Sequence, residues 1–277
     1  MIGITKLSPG RMGNRLFHYH LLRQIARKTG ADYFHCKLPD SVYFAEMEKR
    51  PKPLFPFRKS LRLTSTDVLT FIPQDFLAFV AHEAERKNIF FDPPMLGEVF
   101  FDYLFYAPGD FVKVKMQYNV NFNFDFHNKV VIGIHFRGTD FPEWNEHAAL
   151  KFPYYRDAVL YCLEFFRDEN PVFILFTDDN NYPAFTETVS FLKSLRKVEF
   201  HFGDIAGKPI CDFCLMTRCD VLISSPSTFA IFAGCLGKPK KIMHDKSWLK
   251  HAVENNDPFW VKLQNTNNPY YSLWKTF

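Results

Sequence analysis

Apolar positions near the start of the chain follow two periods, that of a strand and that of a helix. Residues 2–7 predict a first strand, and residues 16–28 carry apolar side chains at helical spacing. Gly30 is placed to end that helix, and residues 31–36 predict a second strand. A glycine-containing loop, residues 8–14, joins the first strand to the helix. This strand, loop, helix and strand unit is typical of α/β folds.

A longer alternation of apolar runs and helical patterns begins at residue 130. The short runs have the continuous apolar character of buried parallel strands, which predicts a second Rossmann-like unit. The predicted strands span residues 130–134, 172–176, 198–202, 221–224 and 241–243. The predicted helices span residues 153–167, 182–195, 212–218 and 228–236. The tail after His244 holds Trp248, Trp260 and Trp274 and is predicted to pack back on the rest.

Between these regions, residues 38–126 are dense in prolines and aromatics and predict an irregular insertion. Within it, residues 49–59 read KRPKPLFPFRK, which favours an exposed segment and leaves a membrane-surface patch as the alternative. We therefore expect an α/β fold with two domains, residues 1–127 with the insertion and residues 128–277 with the tail.

Composition narrows the possible functions. The chain has 277 residues, 33 of them Phe, and we attribute the Phe content to aromatic packing. A net charge of +4 is too mild to indicate a nucleic-acid-binding protein, although it suits small anionic ligands or a weak hold on an anionic membrane. The sequence shows no signal-peptide pattern and no apolar stretch of the roughly 20 residues that span a bilayer, so we expect a cytoplasmic protein.

The six cysteines include a C-x-x-C at Cys211 and Cys214, which could serve redox or metal chemistry. Three cysteines fall in an apolar helical pattern, and no second metal-like pair follows. Buried free thiols are the favoured interpretation.

Ligands of open parallel sheets bind at the carboxyl ends of strands, so the polar residues after each apolar run are the candidates for chemistry. After the strand at 130–134 comes HFRGTD, in which Arg137 can grip a diphosphate with two parallel hydrogen bonds. The alternative is an Arg137–Asp140 salt bridge that only holds the loop.

Two further strand ends carry polar groups. Asp178 and Asp179 could bind a metal, accept hydrogen bonds from a nucleoside, or cap the next helix, and capping is favoured for Asp179. The segment SSPSTF at residues 224–229 opens a helix and could bind an anion, with an ordinary N-cap at Ser227 as the alternative. The N-terminal loop GRMGN also meets a helix, but it is not G-x-G-x-x-G, and the sequence contains no P-loop motif.

Taken together, these segments resemble the bacterial-type α-1,2-fucosyltransferases of glycosyltransferase family 11 and the wider superfamily of α-1,6- and O-fucosyltransferases. The family opening G-G-L-G-N-Q-M-F-Q-Y is similar to GRMGNRLFHY at residues 10–19. The motifs H-x-R-R-G-D-Y, Y-Y-x-x-A and F-S-D-D resemble HFRGTDF at 135–141, YYRDA at 154–158 and FTDD at 176–179. The third motif, D-L-x-L-M-S-x-C followed by S-S-F-S-W-W-G, resembles DFCLMTRC at 212–219 and STFAIFAG at 227–234.

This resemblance implies the GT-B architecture, two Rossmann-like domains with parallel sheets facing across a cleft. The N-terminal domain would lie on the acceptor side, and the C-terminal domain would bind the nucleotide sugar. It also implies GDP-fucose as donor, inversion at the sugar carbon, no cofactor and no required metal. The implied acceptor is a terminal sugar of a surface polysaccharide or of a lipid-linked oligosaccharide, fucosylated through an α-1,2 linkage. The lipid would bring the protein to the inner face of the membrane.

Roles carry over residue by residue. Arg137 matches the arginine that holds the donor β-phosphate and would stabilise charge on the departing GDP. Asp212 matches the acid that reads the guanine edge, because a carboxylate can accept from both guanine N–H groups. The other matched donor-binding positions are Gly13, Asn14, His135, Asp178, Asp179, Ser227, Thr228 and Phe229.

The sequence departs from the family motifs at two places. Gly138 replaces the second arginine of the first motif, and Ala230-Ile231-Phe232 replaces the family's Ser-Trp-Trp. These departures leave another GDP-sugar, such as GDP-mannose, open as the donor. A non-catalytic sugar- or nucleotide-binding protein on the same scaffold, a Mg²⁺ enzyme using Asp178 and Asp179, and a redox protein using the C-x-x-C are the remaining alternatives.

Inversion calls for a general base that takes the acceptor proton. Asp140 and Glu146 are the favoured catalytic candidates, ahead of Glu143 and His147. Asp140 could instead order the loop around Arg137, and Glu146 could be a solvent-exposed loop residue. Without a base, stabilisation of the leaving group by Arg137 would carry most of the rate.

Overall fold

The computed structural model describes residues 1–6, 10–44, 47, 58–64, 67, 73–92, 125–144, 148–203, 208–237, 241–244 and 274–276. The chain divides into two compact units. The described elements of the first unit lie between residues 1 and 92, and those of the second lie between residues 125 and 276. Each unit has a parallel sheet with helices.

The sheet of the first unit has the order β2-β1-β4-β3, with every pair parallel. Its strands are β1 (Ile2–Ile4), β2 (Tyr33–His35), β3 (Lys59–Leu63) and β4 (Lys87–Phe91). Its helices are α1 (Met12–Thr29) and α2 (Pro73–Arg86), and a 3-10 turn covers Pro39–Val42.

The expectation of an irregular insertion over residues 38–126 is therefore wrong for its described part. Two strands and a helix of the first unit come from that region, and β4 is a central strand buried along most of its length. Lys59 starts a strand, while residues 49–57 lie outside the described residues.

Helix α1 begins four residues earlier than the apolar pattern predicts. Gly10 has a φ of 104°, and the helix starts at Met12, so Gly13 and Asn14 belong to its first turn and not to a loop. Its end is as predicted, because Gly30 adopts the left-handed conformation with a φ of 67°. The helix buries Leu16, Leu21 and other apolar side chains against the sheet.

The second unit has a six-stranded sheet of order β10-β9-β8-β5-β6-β7, parallel throughout. Its strands are β5 (Val130–Phe136), β6 (Pro171–Thr177), β7 (Glu199–Phe202), β8 (Val221–Ser224), β9 (Lys241–His244) and β10 (Trp274–Thr276). Counted along the unit, this is the 3-2-1-4-5-6 order of the Rossmann fold. The last strand comes from the tail, which adds an edge to this sheet through Trp274, whereas Trp248 and Trp260 lie outside the description.

The helices of the second unit cover both faces of its sheet. They are α3 (Phe141–Trp144), α4 (Phe152–Phe165), α5 (Pro183–Ser194), α6 (Pro209–Met216) and α7 (Thr228–Leu236). Ile132, Ile134 and Phe136 of β5 pack with α4 and α5. Successive side chains of a strand point to opposite faces, so His135 lies on the other face, where its ring contacts Phe229 of α7.

The five strands predicted for the second unit agree with the apolar runs to within one or two residues, and β5 continues through His135 and Phe136, whereas β10 was not predicted. The heavy use of Phe in packing is confirmed, since most of the largest fully buried side chains are phenylalanines. Among the described residues, no helix is long and apolar enough to cross a membrane.

Candidate functional site

The reversal of strand order in the second sheet lies between β5 and β8, and such a switch point is where open α/β sheets bind ligands. Two hydrogen bonds join the carboxyl ends of these strands. The Ser225 N–H donates to the His135 carbonyl oxygen at 3.2 Å, and the His135 Nδ1 and Ser225 Oγ atoms lie 2.8 Å apart. Residues 90 positions apart are thereby fixed beside each other.

His135 is a neutral histidine at pH 7. Burial, reinforced by the Arg137 charge, lowers its pKa to about 4, although the Asp178 carboxylate acts in the opposite direction. A neutral ring can accept or donate one hydrogen bond at each nitrogen, and one of its nitrogens is already committed to Ser225.

Two tyrosines of the YYRDA segment, in helix α4, make hydrogen bonds at the same switch point. Tyr154 Oη donates to the Ser224 carbonyl oxygen at 3.0 Å, and Tyr155 Oη reaches the His135 carbonyl oxygen at 3.5 Å. Both rings are buried, and Tyr155 packs on Phe136 with the ring centroids 4.3 Å apart. The two consecutive tyrosines of α4 thus contact the ends of both β5 and β8, and their role here is structural support of the switch point.

Arg137 follows β5 directly and lies between two carboxylates. Its Nη1 lies 2.7 Å from Asp178 Oδ2, and its Nη2 donates to Asp140 Oδ2 at 2.7 Å. The guanidinium also lies over the Phe141 ring, 5.6 Å from the centroid. Only 12% of the Arg137 side chain is exposed. The salt bridge between Arg137 and Asp140 that the sequence left as an alternative is present, and Asp178 joins it.

Asp178 is the fixed member of this group. Its Oδ1 accepts from the Gly138 N–H at 2.8 Å, and its Oδ2 accepts from Thr139 Oγ1 at 2.7 Å. Burial alone would raise the pKa of Asp178, but the hydrogen bonds from Thr139 and Gly138 and the charge of Arg137 outweigh it and lower the pKa. Asp178 is therefore a stable anion that anchors the loop after β5 to the end of β6.

Asp179 has a local role that differs from the predicted helix cap. Its Oδ1 accepts from the Asn181 N–H at 2.9 Å, which is an Asx turn ahead of α5, and the N-cap position itself is Tyr182 without a side-chain cap. Asp178 and Asp179 thus point their carboxylates at different partners. Over the described part of the chain, no group of three or more His, Cys, Asp or Glu residues could hold a metal ion.

Gly138 has a steric explanation. A Cβ atom at this position would lie 2.6 Å from Tyr182 Cβ and 3.1 Å from Asp179 Cβ. The loop packs so closely on the segment before α5 that no larger residue fits without movement. This contact favours glycine at the position where the motif that the sequence resembles has an arginine.

The start of α7 forms the opposite wall of the switch point. Ser227 occupies the N-cap position, as predicted. Its side chain makes no capping hydrogen bond, so it does not act as an ordinary N-cap. Thr228 is the first helical residue, and Phe229 touches both His135 and Phe213 of α6. Ala230 and Phe232 are fully buried, so these departures from the family motif are packing positions.

Asp212 lies one residue before Phe213 on α6, close to the end of β7. Its Oδ1 would be 2.5 Å from a Cβ atom added to Gly203, which places the carboxylate against the backbone there. Gly203 N–H donates to the Leu175 carbonyl oxygen of β6 at 2.8 Å. Asp212 therefore belongs to the same carboxyl edge of the sheet as Arg137 and Asp178.

In the first unit, Gly13 is buried and Asn14 is half-buried in the first turn of α1. The neighbouring Arg15 donates from Nε and Nη2 to the two carboxylate oxygens of Asp40 and from Nη1 to the Gly10 carbonyl oxygen at 2.6 Å. Sequence reasoning missed this pair, since nothing local connects an arginine in α1 with an aspartate 25 residues later.

The second unit thus brings together Arg137, Asp140, Asp178, His135 and the start of α7, and it places Asp212 at the same sheet edge. Asp179 is turned to its own loop, Gly13 and Asn14 lie in the first unit, and Glu146 and His147 lie outside the described residues. Ser225 was part of the segment predicted to bind an anion, but its contact with His135 was not foreseen. The position of Ser225 directly after an apolar run, like that of Arg137, is the signal that could have pointed to this contact.

The cysteines are free thiols where the structure describes them. Cys162, Cys214 and Cys219 are buried, whereas Cys36 and Cys211 are only partly so, which corrects the expectation of buried thiols for those two. Burial raises the pKa values of the Cys219 and Cys36 thiols. The thiol form, which is the unreactive one, is thereby favoured.

No protein-family model and no curated protein matches this sequence. Among solved structures, the chain is similar to a mutant of Arabidopsis thaliana FUT1 in complex with GDP, with a TM-score of 0.53 and 15% identity over 88% of this chain and 69% of that one. It is similar to POFUT1 in complex with GDP-fucose, with a TM-score of 0.52 and 11% identity over 88% and 97% of the two chains. A POFUT1 complex with GDP gives a TM-score of 0.51 at 10% identity. The chain therefore has an α/β, fucosyltransferase-like fold with parallel sheets.

Proposed function

We propose that this protein is an inverting glycosyltransferase that moves fucose from GDP-fucose to a hydroxyl of a glycan. The observation that carries the proposal is a fixed guanidinium, Arg137, at the switch point of a sheet with Rossmann strand order. The solved structures of similar fold include complexes with GDP and with GDP-fucose, which supports a GDP-sugar as the donor.

The reaction breaks the bond between the sugar C1 and the β-phosphate oxygen and forms a bond from C1 to the acceptor oxygen on the opposite face. Negative charge develops on the departing diphosphate, and Arg137 is the group proposed to stabilise it. Asp178 and the Phe141 ring hold the guanidinium in place. A charge that is already oriented requires little reorganisation during the reaction, which is where electrostatic catalysis gains its advantage.

The donor-binding set proposed for the second unit is the carboxyl edge of its sheet. Asp212 is proposed to accept hydrogen bonds from the guanine N1–H and N2–H₂ groups, while the start of α7 offers N–H groups to phosphate. The set comprises His135, Arg137, Asp178, Asp179, Asp212, Ser227, Thr228 and Phe229. Gly13 and Asn14 of the first unit stay predictions from the family resemblance.

The acceptor proton is proposed to pass to a carboxylate, for which Asp140 and Glu146 are the candidates. Asp140 is half exposed at the mouth of the loop after β5. Finer features are proposed on the resemblance alone. They are membership of the α-1,2 family, an acceptor in surface polysaccharide, independence from metal, and a cytoplasmic location with membrane contact through residues 49–59.

Nucleotide-dependent thermal stability tests this proposal first. GDP should raise the melting temperature more than UDP or ADP, with or without EDTA, because a ligand that binds only the folded state stabilises it by mass action. Arg137→Ala should abolish the GDP shift. Arg156→Ala is the matched control, since it removes an arginine paired with Asp157 on the exposed surface of α4.

Turnover is then measured as release of GDP from GDP-fucose and from GDP-mannose with a panel of glycan acceptors. Faster release from GDP-fucose with one acceptor would support fucosyl transfer, and faster release from GDP-mannose would indicate another GDP-sugar. GDP binding without turnover of any donor would favour a non-catalytic binding protein. A larger melting shift with UDP than with GDP would overturn the donor assignment.

Base recognition provides a separate measurement. GDP should bind at least about tenfold more tightly than IDP, which lacks the 2-amino group, because a hydrogen bond to a charged group contributes roughly 1.5–3 kcal/mol. Asp212→Asn should remove most of that preference. An unchanged ratio of the two affinities in Asp212→Asn would contradict the role of this residue.

A further inference from the structure

We propose that Asp140 is a built-in competitor for the anion on Arg137, so that the diphosphate of the donor must displace its carboxylate to bind. The proposal rests on the proposed function for the identity of the donor, but the competition itself concerns any diphosphate. It differs from a role for Asp140 as general base, because it predicts that removing the carboxylate makes binding tighter.

The two carboxylates on Arg137 are held very differently. Asp178 is 21% exposed and accepts three further hydrogen bonds, from the Gly138 N–H, the Thr139 N–H and the Thr139 hydroxyl. Asp140 is 50% exposed, and among the described residues its only hydrogen-bond donor besides Arg137 is the Thr139 hydroxyl, at 3.4 Å. Moving Asp178 would break its hydrogen bonds to the loop after β5, whereas moving Asp140 costs mainly its bond to Arg137.

The charge of the group makes displacement more favourable than addition. Two carboxylates around one guanidinium give the cluster a net charge of −1. A diphosphate brought to the cluster with Asp140 in place would meet that net negative charge at short range. With Asp140 moved into solvent, Arg137 and Asp178 are balanced, and the Nη2 donor that Asp140 used is available to a phosphate oxygen.

The surroundings of Arg137 limit which of its N–H groups an incoming anion can reach. Its side chain is largely covered, and its Nη1 is held by Asp178, which the loop hydrogen bonds fix in place. Its Nε is buried and makes no hydrogen bond to any residue that the structure describes. Nη2, on the side of the more exposed carboxylate, is thus the donor that an incoming anion can share or take.

Asp140→Asn is the decisive variant, because it keeps the shape of the side chain and removes the charge. Affinity for inorganic pyrophosphate and for GDP should rise about three- to tenfold, as expected for losing a half-exposed charged competitor. Glu143→Gln is the matched control. It removes one exposed carboxylate three residues further along, and there the affinity should change less than twofold. Asp140→Ala should show the same gain as Asp140→Asn and guards against an effect of the new amide.

Isothermal titration calorimetry measures the affinities of the unaltered protein and the variants for pyrophosphate and for GDP. Steady-state kinetics with GDP-fucose gives kcat and KM for the same proteins, and the two measurements together separate the outcomes. Tighter pyrophosphate and GDP binding in both Asp140 variants supports the competition. Unchanged or weaker binding in both variants, or an equal gain in Glu143→Gln, overturns it. Tighter pyrophosphate binding in the variants, together with no turnover of GDP-fucose by the unaltered protein, would leave the competition standing and remove the proposed function. A loss of kcat together with tighter binding would give Asp140 both roles.

Discussion

Each of the two units contains an arginine that is paired with aspartate, and the two arginines are paired in opposite ways. Arg15 of the first unit makes both of its carboxylate hydrogen bonds to one aspartate, Asp40, of which only 4% of the side chain is exposed. Arg137 of the second unit divides its bonds between a fixed carboxylate and a half-exposed one.

The difference shows how the same residue types yield either structure or binding. A guanidinium whose fork is filled by one buried carboxylate has no energetic reason to exchange partners, and Arg15 also ties down the Gly10 carbonyl ahead of α1. A guanidinium with one solvent-facing partner can exchange that partner for a ligand anion. Since the acids in both units are aspartates, the exposure of the carboxylate is what separates the two cases.

The largest effect is expected from breaking the buried pair. Asp40→Asn should lower the free energy of unfolding by about 2–4 kcal/mol, because it leaves the charge of Arg15 without its carboxylate in a mostly covered position. Urea denaturation monitored by circular dichroism measures this. Asp92→Asn is the control, since it breaks the exposed Arg62–Asp92 pair of the same unit.

A loss in Asp40→Asn no larger than that in Asp92→Asn would break the comparison. It would mean that the bidentate pair of the first unit is as exchangeable as a surface ion pair.

An intermediate effect is expected from two buried histidines, one in each unit. Burial, with a contribution from Arg23, lowers the pKa of His20 to about 3, and the pKa of His135 is about 4. The ordinary value in the unfolded chain is near 6.5. Below pH 6.5 the unfolded chain therefore binds protons that the folded chain does not, so stability falls as the pH falls and the decline ends near the folded pKa.

Between pH 7 and pH 5, each histidine should lower the free energy of unfolding by roughly 2 kcal/mol. His20→Gln and His135→Gln should each remove its own share of that decline. Urea denaturation at a series of pH values checks this. Equal declines in the wild type and in both variants would show that these histidines accept protons in the folded state as easily as in the unfolded one.

The smallest effect is expected at the edge of the second sheet, where Lys129 and Glu199 form a partly exposed ion pair. Lys129→Gln should change the free energy of unfolding by less than about 1 kcal/mol, and salt should reduce even that, because solvent screens such pairs. Denaturation in low and high salt measures it. A larger, salt-independent loss would show that exposure alone does not mark an ion pair as weak.

The sequence predicts the second unit better than the first for a physical reason. Buried parallel strands such as β5 and β6 are continuous apolar runs bounded by polar residues, so their positions are written locally. β3 reads KSLRL and is mostly exposed, so its place in a sheet depends on pairing with β4 and not on its own pattern. An edge strand such as β3 carries a weak signal, which explains why it was missed. This reason does not apply to β4, which is central and mostly buried, so its apolar run was a local signal that the expectation of an irregular insertion passed over.

The candidate residues divide in the same way. Arg137 and Asp178 stand directly after strands, and Ser227 stands three residues after β8, so the rule that parallel sheets bind ligands at strand ends is enough to select them. Asp179 has the same position but turns to Asn181, since a side chain directly before a loop can bond to its own backbone. The local rule of helix capping singled out Asp179 but predicted the wrong backbone partner for it.

The sequence by itself determined the α/β class, the strand ends that carry chemistry, and the glycine that ends α1. Only the tertiary structure decided which of those ends meet. It placed Ser225 beside His135 and Asp178 beside Arg137, contacts between segments 40 to 90 residues apart. The physical reason is that helical and strand periodicity are properties of neighbouring residues, whereas the burial that fixes one carboxylate and leaves another free arises when distant segments pack.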